Sequence, residues 1–336
     1  MYFLHQNLVD FAVEYFNKVE FATAAEGDAF WGLFAPGNTV HFADRPFERF
    51  SDYEEMLNLL RQADQTKYER MHKGTPFYLM SWLAFDLRNY EKGLFYMDSA
   101  IAEDIRKTEL TADPESWKNQ PGTKFLLLAG GQPHVAQRSI NRVQLALQQE
   151  LARFNGISGQ PAVTPDIIRQ FVTRLIEDLS KRTIVSALYV FLLESFDRKR
   201  ELELRQGSSG GSNQPFTLHL FTGGLLLESL LKHYYPISDN GQKNKQLGRV
   251  YHTTSFQTDF GLAGAPETSA DTLQEIHDAI AGSNTVQTAF STTGKLRNTT
   301  GHNLVWDDVF SDPRSYTNLF QQIMNAILFV VSIKGR

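Results

Sequence analysis

Cysteine is absent from the 336-residue sequence. Its absence excludes disulfide bonds, a thiolate nucleophile and a zinc site with cysteine ligands, and it is compatible with a reducing compartment. An excess of positive charge is also absent, since the formal net charge is −5 and the sequence pI is about 6.0. Proteins that coat nucleic acid carry a broad basic surface. Any contact of this protein with RNA must therefore be local.

Long apolar runs are lacking as well. The most apolar stretch near the C-terminal end, IMNAILFVVSI at 323–333, is about half as long as a bilayer crossing requires. At the other end, Asp10 and Glu14 interrupt the apolar positions and no basic region precedes them, so we expect no cleavable signal peptide. We expect a soluble, cytoplasmic protein that makes no contact with a membrane.

Apolar residues are abundant: 42% of the chain is hydrophobic and 12% is aromatic, with 25 Phe. This supply is sufficient for large cores without metals or disulfides. The length predicts two helical domains, or one domain with an elaborated bundle. We place their boundary in the loop GISGQPAVTP at 156–165, which gives a helical domain at 1–155 and a second one at 160–336.

Helix signals recur along the whole chain and predict an all-α fold. Ser51 followed by Glu54 has the spacing of a capping box and predicts the start of a helix that ends near Gln65. Thr164, with Pro165 after it, predicts the start of a long helical region that continues to about Arg205. A short piece at 251–256 is the main candidate for extended structure. Further helices are predicted at 3–24, 133–154, 216–236, 270–281, 283–306 and 313–333.

The segment at 75–106 shows two apolar stripes separated by a short polar break and predicts a helical hairpin. Its spacing resembles a tetratricopeptide repeat in the positions of Tyr90, Gly93, Met97 and Ala100. Upstream, part of the pattern recurs at Tyr53, Leu60 and Ala63, although Met56 occupies a position that favours a small residue. The alternative is an ordinary pair of helices with Tyr and Ala side chains at the contact between them.

The segment LRNTTGHNLVW at 296–306 holds the strongest local motif. Arg297 and His302 are separated by four residues, Asn298 directly follows the Arg, and apolar positions flank the motif. This pattern resembles the HEPN superfamily of helical bundles, whose signature is an Arg, four to six residues, and a His. The resemblance covers about 160–336 and has no part in 1–155.

The resemblance implies a metal-independent endoribonuclease that needs no cofactor. His302 would act as general base or acid, Arg297 would hold the phosphate, and Asn298 would orient His302 or the ribose. It also implies a homodimer in which two motifs share one cleft, RNA as substrate, and a role as a toxin or antiviral-defence effector. The N-terminal domain would then bind a regulatory protein partner. Residues assigned to substrate binding are Lys295, Asn303, Lys232 and Glu228.

Other interpretations of Arg297, His302 and the neighbouring candidate residues remain open. An Arg and a His near a helix end commonly cap carbonyl groups, and some HEPN bundles serve only for interaction. The chain would then be a non-catalytic scaffold that dimerises through its bundle and binds a protein through the hairpins. Glu228 and Lys232, four residues apart, are expected to form a solvated pair on a helix surface. His219 and His233 are expected to be surface or satisfied core residues, and no partners for a metal at Asp307 and Asp308 are found.

Overall fold

The computed structural model describes residues 2–34, 45–108, 113–129, 135–157, 162–178, 180–205, 212–239, 242–243, 247–280, 283–301 and 309–336. Within these ranges the protein is all-α, as predicted, with one antiparallel pair of two-residue strands. The chain divides into two compact units, Met1–Asn141 and Arg142–Arg336. The division falls inside the helix Val135–Ile157, whereas the predicted boundary loop at 156–165 follows that helix.

Unit 1 is built from short and medium helices and one 3-10 helix at Ser116–Asn119. They are α1 Tyr2–Lys18, α2 Ala24–Gly32, α3 Pro46–Ala63, α4 Gln65–Arg70, α5 Gly74–Asp86, α6 Tyr90–Thr108, α7 Pro121–Leu126 and the first turns of α8 Val135–Ile157.

The predicted hairpin is present in unit 1 as the antiparallel neighbours α5 and α6. A Cβ built on Gly93 would lie 2.6 Å from the ring of Phe85, so the glycine lets the two helices approach closely. Tyr90, Met97 and Ala100 are buried, and α3 packs against α5 as well. The residues named for the tetratricopeptide pattern thus belong to a helix seam, and a repeat array remains a prediction.

The capping box predicted at Ser51 is wrong. Helix α3 begins at Pro46, so Ser51 lies inside the helix, in its second turn. Proline at the first helical position already has the φ angle of a helix and lacks only an N–H that would have no partner there. The start is therefore set five residues earlier, and the helix ends at Ala63, close to the predicted end.

Unit 2 contains longer helices and a 3-10 helix at Val309–Ser311. Besides most of α8, they are α9 Pro165–Glu177, α10 Arg182–Arg205, α11 Gln214–Tyr234, α12 Leu247–Tyr251, α13 Thr254–Phe260, α14 Leu273–Ala279, α15 Val286–Thr300 and α16 Pro313–Lys334; the strands β1 Ser238–Asp239 and β2 Gln242–Lys243 pair between α11 and α12.

Helix α16 forms the centre of unit 2, and α9, α10, α11 and α15 pack against it. In the part of the chain that the structure describes, it is the one helix long and apolar enough to cross a membrane. Its most apolar 18-residue window is 78% buried inside the protein. Such burial is expected for the core helix of a soluble protein, because its apolar surface is already covered.

Two local predictions in unit 2 have opposite outcomes. Thr164 caps α9, its Oγ1 accepting a hydrogen bond from the backbone N–H of Ile167, and Pro165 follows in the first turn as predicted. The extended piece predicted at 251–256 is instead helical, divided between α12 and α13. Its aromatic residues, Tyr251 and Phe256, are buried together against Phe290, and helical turns direct both rings to that core.

Candidate functional site in unit 2

The motif helix α15 crosses α11 at very short range. A Cβ built on Gly224 would lie 2.6 Å from the Cβ of Arg297. A Cβ built on its neighbour Gly223 would instead contact the ring of Phe191 and a methyl group of Ile323. Gly224 therefore lets Arg297 lie directly against the α11 backbone, where a larger residue would displace it.

Arg297 is held by a buried carboxylate. Its Nε donates a hydrogen bond of 2.7 Å to Oε2 of Glu228, and its Nη1 donates one of 3.0 Å to Oδ1 of Asn298. The side chain of Glu228 is only 5% exposed, whereas that of Arg297 is 31% exposed. The Nζ of Lys232, one turn along α11, donates to the other carboxylate oxygen, Oε1.

This arrangement corrects the prediction that Glu228 and Lys232 form a solvated pair. The carboxylate of Glu228 lies beneath two cations, each of which is about one third exposed. A buried carboxylate is tolerated when it is paired and hydrogen-bonded on both oxygens, as this one is. The network joins Glu228 and Lys232 of α11 to Arg297 and Asn298 of α15, and about one third of the Arg297 side chain stays exposed to solvent.

Of the other predicted site residues in this region, only Lys295 lies within the described ranges. Lys295, on the same helix, pairs with Asp271 at 2.6 Å and is not part of the Glu228 network. Helix α15 ends at Thr300, before the predicted end at 306. His302 and Asn303, and the pair Asp307 and Asp308, lie outside the described residues.

A cavity of about 220 Å³ lies beside the motif. Its lining includes Asn298 and Lys295 of α15, Tyr251 and Gly248 of α12, and the segment at 266–268. The cavity therefore adjoins the Arg297 network through Asn298, whose side chain is exposed.

His219 is a core residue, in agreement with one of the two predictions for it. It is 1% exposed, its Nε2 lies 2.9 Å from the carbonyl oxygen of Phe191, and its Nδ1 lies 2.8 Å from the hydroxyl of Tyr316. Burial lowers its pKa to about 3, so the imidazole is neutral at physiological pH. His233 is partly exposed at the end of α11.

A second charged cluster, in unit 1, was not found from the sequence. The imidazole of His72 lies between two carboxylates, with Nδ1 at 2.7 Å from Asp28 and Nε2 at 3.4 Å from Asp104. The Nζ of Lys107 pairs with the same Asp28. These residues come from α2, the α4–α5 connection and α6, so no sequence spacing indicates them.

The pKa values in this cluster follow from burial and pairing. Burial alone would lower the pKa of His72, but its contacts with Asp104 and Asp28 outweigh that effect and leave it raised. Burial also raises the pKa of Asp104, whereas His72 and Lys107 together hold the pKa of Asp28 below its usual range despite burial. Among the described residues no group of three or more His, Asp or Glu side chains is arranged to hold a metal ion.

Comparisons with family models, with curated proteins and with solved structures give no match for this chain.

Proposed function

We propose that the protein is a metal-independent endoribonuclease of the HEPN type. The observation that carries the proposal is the placement of Arg297. Its guanidinium is held by the buried carboxylate of Glu228 and by Asn298, its side chain is 31% exposed, and it lies five positions before His302 in the sequence. A preorganised guanidinium of this kind suits a phosphate, because its planar donors match two phosphate oxygens.

The proposed chemistry is the attack of a ribose 2′-OH on the adjacent phosphate. His302 removes the proton from the 2′-OH or protonates the leaving 5′-oxygen, since an imidazole exchanges protons near neutral pH. Arg297 stabilises the negative charge that develops on the phosphate in the transition state. Asn298 keeps the guanidinium in place through its Oδ1. DNA lacks the attacking hydroxyl and is not a substrate.

The roles of the surrounding lysines follow from their partners. Lys232 neutralises Glu228 together with Arg297, so the carboxylate does not repel a phosphate. Lys295 is the closest cation on the same helix and contacts the RNA backbone in this proposal, as does Asn303. The proposal retains a cytoplasmic homodimer, paired through the bundle of unit 2, and a toxin or defence role under the control of a protein bound to unit 1.

The test is cleavage of single-stranded RNA by the purified protein in the presence of EDTA. We expect cleavage by the wild type and a loss of at least about a hundredfold in His302→Ala and Arg297→Ala, because each removes a group that acts in the transition state. Products should end in 2′,3′-cyclic phosphate. Equal activity in the wild type and the His302→Ala variant would reject the proposal, as would activity that EDTA abolishes.

A second candidate, a non-catalytic scaffold, is favoured by one feature of unit 1. The ring of Phe95 is 63% exposed on α6, on the outside of the hairpin formed by α5 and α6. An exposed aromatic side chain on a helical hairpin suits a protein partner. The scaffold role predicts a complex that Phe95→Asp abolishes and His302→Ala leaves intact, with no RNA cleavage by the wild type.

A further inference from the structure

The charged cluster of unit 1 borders a cavity of about 180 Å³. Asp28, His72, Asp104 and Lys107 all line it, together with side chains of α5 and of the start of α7. This volume equals that of about six waters in the liquid, so it suits a molecule of few atoms and is too small for a peptide or a nucleotide. The motif helix α15 belongs to unit 2 and takes no part in this cavity.

Asp28 is already neutralised within the protein. Its Oδ1 lies 2.7 Å from Nδ1 of His72, and its Oδ2 accepts a hydrogen bond from Nζ of Lys107. Each oxygen therefore has its own basic partner. Asp28 is also the more exposed of the two carboxylates, at 36% of its side chain against 12% for Asp104, so water can satisfy its remaining lone pairs.

Asp104 is a buried carboxylate without a close partner. Its ion-pair partner is Nε2 of His72, at 3.4 Å from Oδ1. A strong charge-assisted hydrogen bond measures about 2.7–2.9 Å, and Nε2 makes no hydrogen bond in the described part of the chain. The side chain of Asp104 has no other hydrogen bond or ion pair with a described residue. A carboxylate in this position costs free energy until a donor reaches it, and burial accordingly raises its pKa.

Two neutral side chains on the cavity wall are also available to a ligand. Thr75 lies in the first turn of α5, and Gln120 directly precedes α7. Within the described ranges, the Thr75 hydroxyl and the Gln120 amide form no side-chain hydrogen bond. Each contributes an oxygen that can accept one. The cavity therefore presents one buried anionic acceptor and two neutral acceptors.

We propose that this cavity binds the ammonium group of a small primary amine, with Asp104, Thr75 and Gln120 as its acceptors. A primary ammonium carries three N–H donors and one positive charge, which matches one carboxylate and two neutral oxygens. A small anion would be repelled by Asp104, while Lys107 is already paired with Asp28. A neutral alcohol would leave the buried carboxylate without a close counter-charge.

The ligand competes with the proton of His72. Asp28 of α2 and Asp104 of α6 face the imidazole, and together they raise its pKa. Lys107 pairs with the other oxygen of Asp28, and Tyr78 on α5 stays neutral because burial raises its pKa to about 12. An ammonium at Asp104 adds a positive charge beside the imidazolium, which favours loss of its proton. Amine binding should therefore release a proton and tighten as the pH rises through the pKa of His72.

Titration calorimetry with matched probes tests the proposal. The probes are ethanolamine, butylamine and 1,4-diaminobutane, each beside the alcohol in which hydroxyl replaces ammonium. We expect at least one amine to bind the wild type about tenfold or more tightly than its alcohol. Asp104→Asn keeps the shape of the side chain and removes its charge, so it should weaken that binding by about tenfold or more. Glu91→Gln removes an exposed carboxylate from the same helix and should bind the amine as the wild type does.

The wild type also provides a test that needs no variant. Between about pH 6 and about pH 8.5, the affinity for the amine should rise by at least about threefold, with proton release measured in two buffers of different ionisation enthalpy. An affinity that is the same at both pH values overturns the proposal. So does the absence of binding by all three amines, equal binding of amine and alcohol, or equal binding by Asp104→Asn and Glu91→Gln. None of these measurements involves RNA, so the amine site and the proposed ribonuclease stand or fall separately.

Discussion

Gly224 of α11 and Arg297 of α15 are in direct contact: a Cβ atom on the glycine would lie 2.6 Å from the Cβ and 3.1 Å from the Cα of the arginine. Both neighbouring atoms belong to the backbone or to its first side-chain carbon, so they cannot move aside alone. The distance between the two helices, and with it the position of the guanidinium over Glu228, depends on the missing side chain.

Gly224→Ala is expected to push α15 away from α11. We predict a loss of roughly 1–3 kcal/mol of unfolding free energy, the usual cost of overpacking a helix contact. RNA cleavage should fall by about tenfold to a hundredfold per folded molecule, since a shift of about 1 Å is enough to misplace a catalytic group. Urea unfolding and single-turnover cleavage measure the two effects.

Gly156→Ala is the control for this substitution. It is also a helical glycine of unit 2, although it lies at the end of its helix, and its Cβ would meet no atom within 4 Å. Stability should stay the same or rise by up to about 1 kcal/mol, because alanine reduces the entropy of the unfolded chain. A Gly224→Ala protein as stable and as active as the control would show that the helix contact tolerates a methyl group.

Glu228→Gln is expected to weaken the network under Arg297. The carboxylate is 5% exposed and pairs with two cations, each about one third exposed, so removal of its charge leaves two positive charges beside each other. Because both cations can turn towards water, we predict a loss of about 1–3 kcal/mol, less than for a fully buried pair. The exposed Glu203→Gln on α10 should change stability by less than about 0.5 kcal/mol.

The same variant tests whether Glu228 stabilises the fold, positions Arg297, or does both. If Glu228 only positions Arg297, Glu228→Gln should lower kcat with little change in the pH profile, and Glu228→Asp should restore part of the activity. A Glu228→Gln protein with full activity and an unchanged melting temperature would mean that the network contributes neither to the stability nor to the placement of Arg297.

The cluster at His72 predicts that the stability of unit 1 falls as the pH rises past neutral. The folded pKa of His72 is raised, so the folded state binds a proton more tightly than the unfolded state. Its stabilisation is complete below the unfolded pKa of about 6.5 and is lost as the pH rises through the raised folded value. Unfolding measured from about pH 5 to about pH 9 tests this.

Asp28 adds a dependence of the opposite sign at low pH. Its folded pKa is lowered, so its stabilisation is present above the unfolded pKa and is lost as the pH falls through the folded value. The folded pKa of Asp104 is raised, so the stabilisation that its protonated form contributes is lost as the pH rises through the acidic range. Tryptophan fluorescence reports mainly on unit 1, because three of the four tryptophans, Trp31, Trp82 and Trp117, belong to it, and Trp31 donates a hydrogen bond of 3.0 Å to the carbonyl oxygen of His72.

His72→Gln is the variant that isolates the histidine. It should remove the decline in stability above about pH 6.5 and weaken the acid limb that Asp28 causes, because His72 is one of the two groups that lower the pKa of Asp28. A wild-type protein whose unfolding free energy is constant from about pH 6 to about pH 9, or a decline that the variant retains, would contradict the prediction.

His219→Leu is expected to affect folding and not cleavage. The leucine leaves the buried hydroxyl of Tyr316 without the imidazole that it contacts at 2.8 Å, which should cost about 1–3 kcal/mol. His219 is enclosed by the core of unit 2 and is neutral, so it has no route to an RNA phosphate. Cleavage per folded molecule should match the wild type; a specific loss of kcat would mean that His219 acts in the reaction.

The sequence is informative where local chemistry decides the structure. Thr164 and Pro165 combine a side-chain cap with a fixed φ angle, and α9 begins there as predicted. Pro313 marks the start of α16 in the same way, and the strongly apolar stretch that follows predicts a core helix. These signals involve neighbouring residues, so a single sequence is enough to read them.

Prediction from the sequence fails where contacts between residues distant in the chain decide the local structure. Ser51 has the spacing of a capping box, but Pro46 starts the helix earlier. The aromatic residues at 251–256 suit a strand by propensity, yet the core around Phe290 favours helical turns. Glu228 looks like half of a surface pair because its partner Lys232 is four residues away; its second partner, Arg297, is 69 residues away, and no local pattern indicates it.

Because Lys232 and Arg297 share the carboxylate of Glu228, the residue types at these three positions depend on one another. A chain that replaces this acid with an apolar side chain must also give up or neutralise the cations at 297 and 232, since either would otherwise stand over a low-dielectric surface without a counter-charge. In an alignment of related sequences, substitutions at 228, 232 and 297 should therefore occur jointly. If these three positions vary independently of one another, natural selection does not act on the three residues as a unit.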